Sequence, residues 1–160
     1  TARAGSFDMR ILCHDARMIP PPYQQVDLDT LLALSDYVPL HVPSRKGTRK
    51  LLDRNRLARM KTGAILVNTS RGEVVDGEVL IEALRSGKLL DAALDVFEQQ
   101  PPAPNNPLLM MDNVVLTPHV ASGAAEALRV KARAFAENMR HAGAGKDPSD
   151  CILQPKGTPA

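Results

Sequence analysis

The chain has 160 residues, 20 Lys+Arg against 18 Asp+Glu for a formal net charge of +2, and 44% hydrophobic content. That is the composition of an ordinary globular domain with room for one core, and it excludes a disordered or fibrous chain. The near balance of charge removes the electrostatic case for nucleic acid or an anionic membrane surface, and 3% aromatics with no Trp leave no base-stacking platform.

The first residues, Thr1-Ala2-Arg3-Ala4-Gly5-Ser6, lack both an initiating Met and the apolar core of a signal peptide. They are expected to belong to a cytoplasmic domain cut from a longer product. Met9-Arg10-Ile11-Leu12-Cys13 is a short apolar run with the character of a strand, followed by a Pro20-Pro21-Pro22 loop. Residues 27–34 place Leu28, Leu31 and Leu32 on one helical face. Residues 36–42 predict a second strand, in which Pro39 lacks a backbone N–H and so belongs at an edge. Residues 51–60 predict a helix with Leu52, Leu57 and Met60 inward and basic residues between them. Ala64-Ile65-Leu66-Val67-Asn68 is nearly continuous in apolar character, the pattern of a strand buried on both faces. Residues 76–86 predict a helix with Asp76 as N-cap and Gly87 as C-cap. Residues 92–96 and 114–116 are further strands, separated by a Pro101-Pro102-Ala103-Pro104 loop. The longest helix is expected over residues 121–141, with Leu128, Ala132, Phe135 and Met139 at helical spacing, and an irregular tail follows.

Strands alternating with helices build βαβ units, hence a parallel, doubly wound α/β sheet. Cys13 and Cys151 lie far apart and form no CxxC or Cys/His cluster, so neither a disulfide framework nor a metal site is expected. No run has the length of a membrane-spanning helix.

Three segments carry chemistry. Val67-Asn68-Thr69-Ser70-Arg71-Gly72-Glu73-Val74-Val75-Asp76 comes first, Ala93-Leu94-Asp95-Val96-Phe97-Glu98 second, and Asn113-Val114-Val115-Leu116-Thr117-Pro118-His119-Val120 third. In this order and spacing they resemble the nucleotide-binding domain of the D-isomer-specific 2-hydroxyacid dehydrogenases, over about residues 9–141. The resemblance implies a Rossmann-like fold, an NAD cofactor and hydride transfer between the nicotinamide and C2 of a small 2-hydroxy or 2-oxo acid. It implies that Arg71 holds the substrate carboxylate, for which a guanidinium fork is suited. His119 becomes the acid/base at the carbonyl oxygen, since imidazole donates and accepts protons near neutrality. Judged alone, Arg71 reads as well as a surface ion-pair partner, and His119 as a capping or core histidine. Both follow expected strand C-termini, where open α/β sheets place ligands, and that favours the functional reading.

For the cofactor, Asp15 follows the first expected strand. An acidic residue at the corresponding place accepts hydrogen bonds from the adenosine ribose and repels a 2′-phosphate, so NAD is expected over NADP, with Arg17 softening the choice. The resemblance also implies Asp95 near the nicotinamide amide, His41-Val42-Pro43 beside the adenine, and Thr69 and Ser70 as cofactor-bonding turn residues. It implies a homodimer for the complete protein. His14 and His141 match no catalytic position of the family.

Two departures stand out. Where the family places a Glu beside the catalytic His, this chain has Gln100, as the related formate dehydrogenases do. A carboxylate there favours imidazolium more than a neutral amide does. No Gly-x-Gly-x-x-Gly occurs in the 160 residues, and the family's substrate domain has no counterpart. The expected organisation is a partial NAD-binding domain over residues 1–145 and a tail over 146–160. The sheet should lack its first strand, leaving a gap between residues 9–13 and 64–68. Three functions follow from these features: a 2-hydroxyacid dehydrogenase, a non-catalytic NAD-sensing module of the corepressor kind, and a formate-dehydrogenase-like enzyme.

Overall fold

Three aspartates start three helices. Asp27, Asp53 and Asp76 each hold an extended backbone and accept a hydrogen bond from the N–H three residues on, Thr30, Arg56 and Val79 respectively. Such caps satisfy donors that the first turn leaves bare, at about 1 kcal/mol each. They open α2 (Leu28–Leu34), α3 (Arg54–Arg59) and α4 (Gly77–Arg85), after a four-residue α1 (Ala2–Gly5). At the end of α4, Gly87 takes a left-handed φ of 74° just past the Ser86 cap, as its position predicts. Helix α3 is shorter than the apolar pattern suggests, because Leu52 is drawn into a parallel bridge with Val75. Its N–H donates to Val74 O and its own carbonyl accepts from Asp76 N–H.

The computed structural model describes residues 2–146. They fall into two compact units, divided between His119 and Val120. The first unit holds β1 (Leu12–Cys13), β2 (Gln24–Gln25), β3 (Tyr37–Leu40), β4 (Ala64–Asn68), β5 (Leu89–Leu94) and β6 (Val114–Leu116). Every strand pair is parallel, as alternating strands and helices predict. The strands form two sheets, β1-β2 and β3-β4-β5-β6. The expected gap therefore lies elsewhere than between residues 9–13 and 64–68. β3 pairs with β4, so the break in the sheet separates β1 from β3. Pro39 falls in β3, at an edge of the four-stranded sheet, where a missing N–H is tolerated.

Register explains the core. Val38, Leu66, Ala92 and Val114 share one row, and Leu40, Asn68, Leu94 and Leu116 the row above it. These rows meet the helices: Val38, Leu40, Leu66, Ala92 and Leu94 join Leu32, Leu52, Leu57, Val74, Leu80 and Leu84 in one buried cluster, with half-buried Val114 and Leu116 packed against it. The intervening row, Pro39, Val67, Ala93 and Val115, faces the other side, and Val115 is 66% exposed. β4 thus alternates buried and half-buried residues, and is not closed on both faces as its sequence suggests.

The second unit contains α5 (Ala125–Gly143), which starts later than expected because Ala121 and Ser122 lie in a turn closed by Gly123 N–H on Val120 O. The residues expected at helical spacing are exposed: Leu128, Phe135 and Met139 are open to solvent, and α5 has no buried residue. Residues 147–160, with the expected tail and Cys151, lie outside the described residues.

Candidate active site

Each candidate side chain sits just beyond the C-terminal end of a parallel strand. Asp15 follows β1, His41-Val42-Pro43 follows β3, Arg71 follows β4, Asp95 follows β5 and His119 follows β6. This edge is where open α/β sheets bind ligands, because the loops there diverge and leave room.

The Arg71 loop is shaped from below by Asn68, the last residue of β4. Its place in a core-facing row buries it, and it is 2% exposed. A buried amide must find partners or cost about 1–3 kcal/mol. Asn68 Oδ1 accepts from Ser70 N–H at 3.0 Å and from Ser70 Oγ–H at 2.9 Å, while Nδ2 donates to Arg71 O at 3.0 Å. The Ser70 hydroxyl, a candidate cofactor contact, is thereby committed to the loop, whereas Thr69 is exposed. Arg71 itself is exposed, with Nη1 donating to Ser70 O at 2.7 Å. Its guanidinium makes no ion pair among the described residues. It lines a cavity of about 330 Å³ together with Ser44, Glu73, Phe97, Glu98 and Gln100. Glu73 is engaged by Ser44 Oγ–H at 2.7 Å.

Gln100 joins this cavity to His119. Gln100 Nε2 donates to Phe97 O at 3.1 Å, and Oε1 lies 2.8 Å from His119 Nδ1. A carbonyl only accepts, so the Phe97 contact fixes which end of the amide is nitrogen. The oxygen therefore faces the ring, and His119 Nδ1 carries the proton. Neutral His119 then keeps its lone pair on Nε2. The His119 backbone stands at φ 57°, in the left-handed region that histidine enters more readily than β-branched residues. Its N–H donates to Thr117 O at 3.0 Å.

Asp95 is 3% exposed; its N–H donates to Asn68 O, and its Oδ1 accepts the Thr117 hydroxyl at 2.5 Å. Just beyond the strands, a backbone bond thus joins the ends of β4 and β5, and a side-chain bond joins those of β5 and β6. The loop after β3 exposes His41 and Pro43 and half-buries Val42 against the core. Asp15 belongs to the other sheet, exposed, with Oδ1 accepting Arg17 N–H at 2.8 Å. His14 Nδ1 lies 3.1 Å from Val26 O, a strand-end contact as expected. The structure thus brings Arg71, Gln100, Asp95 and His119 to one edge of the four-stranded sheet and puts Asp15 on the two-stranded one.

Asn68, Gly72 and Thr117 organise this edge and carry no signal in the sequence taken singly. A strand-end amide and a glycine directly after Arg71 are the only hints. Near the site, Lys50 donates to Asp76 at 2.9 Å, and this bond holds the Asp76 carboxyl below the usual carboxylate range. Among the described residues there is no group of His, Cys, Asp or Glu able to hold a metal ion, and no helix long and apolar enough to cross a membrane.

Residues 1–121 match the family described as D-isomer specific 2-hydroxyacid dehydrogenase, NAD binding domain. A glyoxylate reductase of Thermofilum pendens is 48% identical over 143 residues, which are 86% of this chain and 42% of that protein. The crystal structure of the TT0316 protein from Thermus thermophilus superposes with a TM-score of 0.86 at 41% identity, covering 95% of this chain and 49% of the other. D-lactate dehydrogenase with NAD+ from Lactobacillus jensenii superposes at 0.85 with 28% identity, covering 94% and 50%. The chain spans less than half the length of the curated relatives it matches.

Proposed function

Because this chain belongs to the NAD-binding domains of the D-isomer-specific 2-hydroxyacid dehydrogenases, we propose that it carries the catalytic edge of an enzyme that reduces a small 2-oxo acid to its 2-hydroxy acid. The observation that carries this reading is the His119–Gln100 hydrogen bond, made by a Gln100 that shares a cavity with the unpaired guanidinium of Arg71. The nicotinamide, when bound, supplies the hydride. Asp15, Asp95 and the loop after β3 are the residues that fit the cofactor; no glycine-rich phosphate loop stands among the 160 residues. Arg71 grips the substrate carboxylate through two parallel N–H bonds and so fixes where C2 lies. His119, held by its Nδ1–H on Gln100, gives the Nε2 proton to the carbonyl oxygen during reduction and takes it back during oxidation.

The reading brings with it NAD in preference to NADP, a homodimer for the complete protein and a cytoplasmic setting. Support for NAD is the Asp15 carboxylate beyond β1; support for a reducing compartment is two cysteines far apart in sequence. A formate-dehydrogenase-like reaction is the second reading, favoured by the neutral amide of Gln100 on the His119 ring.

To test it, these residues are joined to the N-terminal half of the Thermofilum pendens relative, to supply the parts the family resemblance implies are missing, and NADH oxidation is followed with glyoxylate and NAD+ reduction with formate. Turnover lost on His119→Ala supports the reading. Formate oxidation without glyoxylate reduction supports the second one. NADH binding with neither activity overturns both and leaves a nucleotide-sensing module.

A further inference from the structure

Gly72 stands where no side chain fits. A Cβ built on it would lie 2.0 Å from Phe97 C, 2.1 Å from Phe97 O and 2.3 Å from Glu98 N. The loop that carries Arg71 is thus laid directly on the Phe97–Glu98 peptide, backbone against backbone. That same Phe97 carbonyl accepts Gln100 Nε2, and Gln100 Oε1 accepts His119 Nδ1–H. From beneath, the loop is tied in place, since the buried Asn68 amide bonds Ser70 and Arg71 on the residues just before Gly72.

We infer that Gly72 is a positioning residue, coupling the Arg71 loop to the His119 ring through the Phe97 carbonyl. A methyl group at residue 72 has to turn the Phe97–Glu98 peptide, because the Asn68 bonds hold the loop from beneath. Once that carbonyl turns, the Gln100 amide loses the acceptor that fixes its orientation. A flipped amide presents Nε2 to the ring, which then accepts at Nδ1 and carries its neutral-state proton on Nε2. The proton then occupies the atom that must be free to take one from a hydroxyl. The carboxylate clamp and the acid/base are in this way set by a single backbone contact between residues 72 and 97.

The inference rests on reading His119 as the acid/base, but the test reads the ring itself and needs neither cofactor nor substrate. The 15N-labelled 160-residue chain is followed by long-range 1H–15N spectra of the imidazoles, at a pH where the rings are neutral. Expected for the unaltered chain is one tautomer of His119, protonated at Nδ1. In Gly72→Ala, Nδ1 is expected to move towards the unprotonated range and Nε2 towards the protonated range. A folded Gly72→Ala chain whose His119 tautomer is unchanged overturns the coupling, and so does a mixed tautomer in the unaltered chain.

Should Gly72→Ala fail to fold, Gln100→Ala, a change at an exposed residue, interrogates the coupling from its other end. Amide shifts at Arg71 and Gly72 larger than those at equally distant backbone are expected, and their absence overturns it. If the tautomer responds as expected while His119→Ala retains full turnover in the completed enzyme, the coupling stands and the acid/base role of His119 falls.

Discussion

β4 is paired on both sides and buries Ala64, Leu66 and Asn68, whereas β1 has a single two-residue partner and no buried residue. Arg71, Gln100, Asp95 and His119 rise from the first region, and Asp15 from the second. In the four-stranded sheet each loop leaves a strand whose end is fixed in a packed row. Side-chain bonds then shape the loop after β4, Asn68 to Arg71, and tie the loops after β5 and β6 together, Thr117 to Asp95. Around Asp15 a single side chain substitutes for such a frame: Gln25 Nε2 donates to Asp15 O and Arg17 O, and Gln25 Oε1 accepts from Ile19 N–H. The lesson is that the two regions differ in how firmly they are built. The groups proposed to act on a substrate rest on a core, while the group proposed for the adenosine rests on two ladder rungs and one amide.

Catalysis offers the sharpest way to break this contrast. In the completed enzyme His119→Ala is expected to lower kcat by about 10²–10⁴-fold, the usual worth of a positioned acid/base. Asp15→Asn should leave kcat nearly untouched and raise KM for NADH, since binding through Asp15 is made equally in ground and transition states. Steady-state kinetics of both variants decide it, and equal losses in kcat would abolish the division of labour.

Stability comes next. Leu66 is fully buried, so Leu66→Ala should cost about 2–5 kcal/mol, from lost transfer energy plus the cavity left behind. Leu12 in β1 is only half-buried, and Leu12→Ala should cost less than about 1.5 kcal/mol. Urea unfolding of the two variants measures this, and matching losses would mean the sheets are equally framed.

Gln100→Glu should produce a smaller and directional change. A carboxylate facing the His119 ring favours imidazolium, so the alkaline limb of 2-oxo acid reduction should move to higher pH. A pH–rate profile of parent and variant is the measurement; an unmoved limb means the pair does not govern protonation.

The smallest effect is expected at Asp76, the N-cap of α4. Lys50 and the α4 N-terminus hold its carboxyl below the ordinary value of about 3.9. A depressed folded-state value gives stability that is fully present above the unfolded value and is lost as pH falls through the folded one. Asp76→Asn keeps a capping side chain but removes that charge. Unfolding at neutral pH should change by under about 1 kcal/mol, with a shallower loss as pH falls below the ordinary carboxylate value. Denaturant titrations at several pH values test both parts.

Much of this molecule is legible in the chain itself, wherever the cause is local. Asp27, Asp53 and Asp76 cap helices because a short carboxylate reaches an N–H three residues ahead. Val114–Leu116 is a strand within the bounds its apolar run predicts, and Pro39 sits on an edge because it has no proton to give to a ladder. Arg71 and His119 could be singled out because their motifs are contiguous. Tertiary structure alone decided which strands meet, and so moved the gap in the sheet to lie between β1 and β3. It decided that the outer face of β4 is only half covered, since periodicity records a residue's own character and not what lies across from it. The role of Gly72 likewise emerges only when the chain returns to place Phe97 against it. Hydrogen bonds and packing between remote loops depend on where the backbone comes back in space, and no window of neighbouring residues encodes that distance.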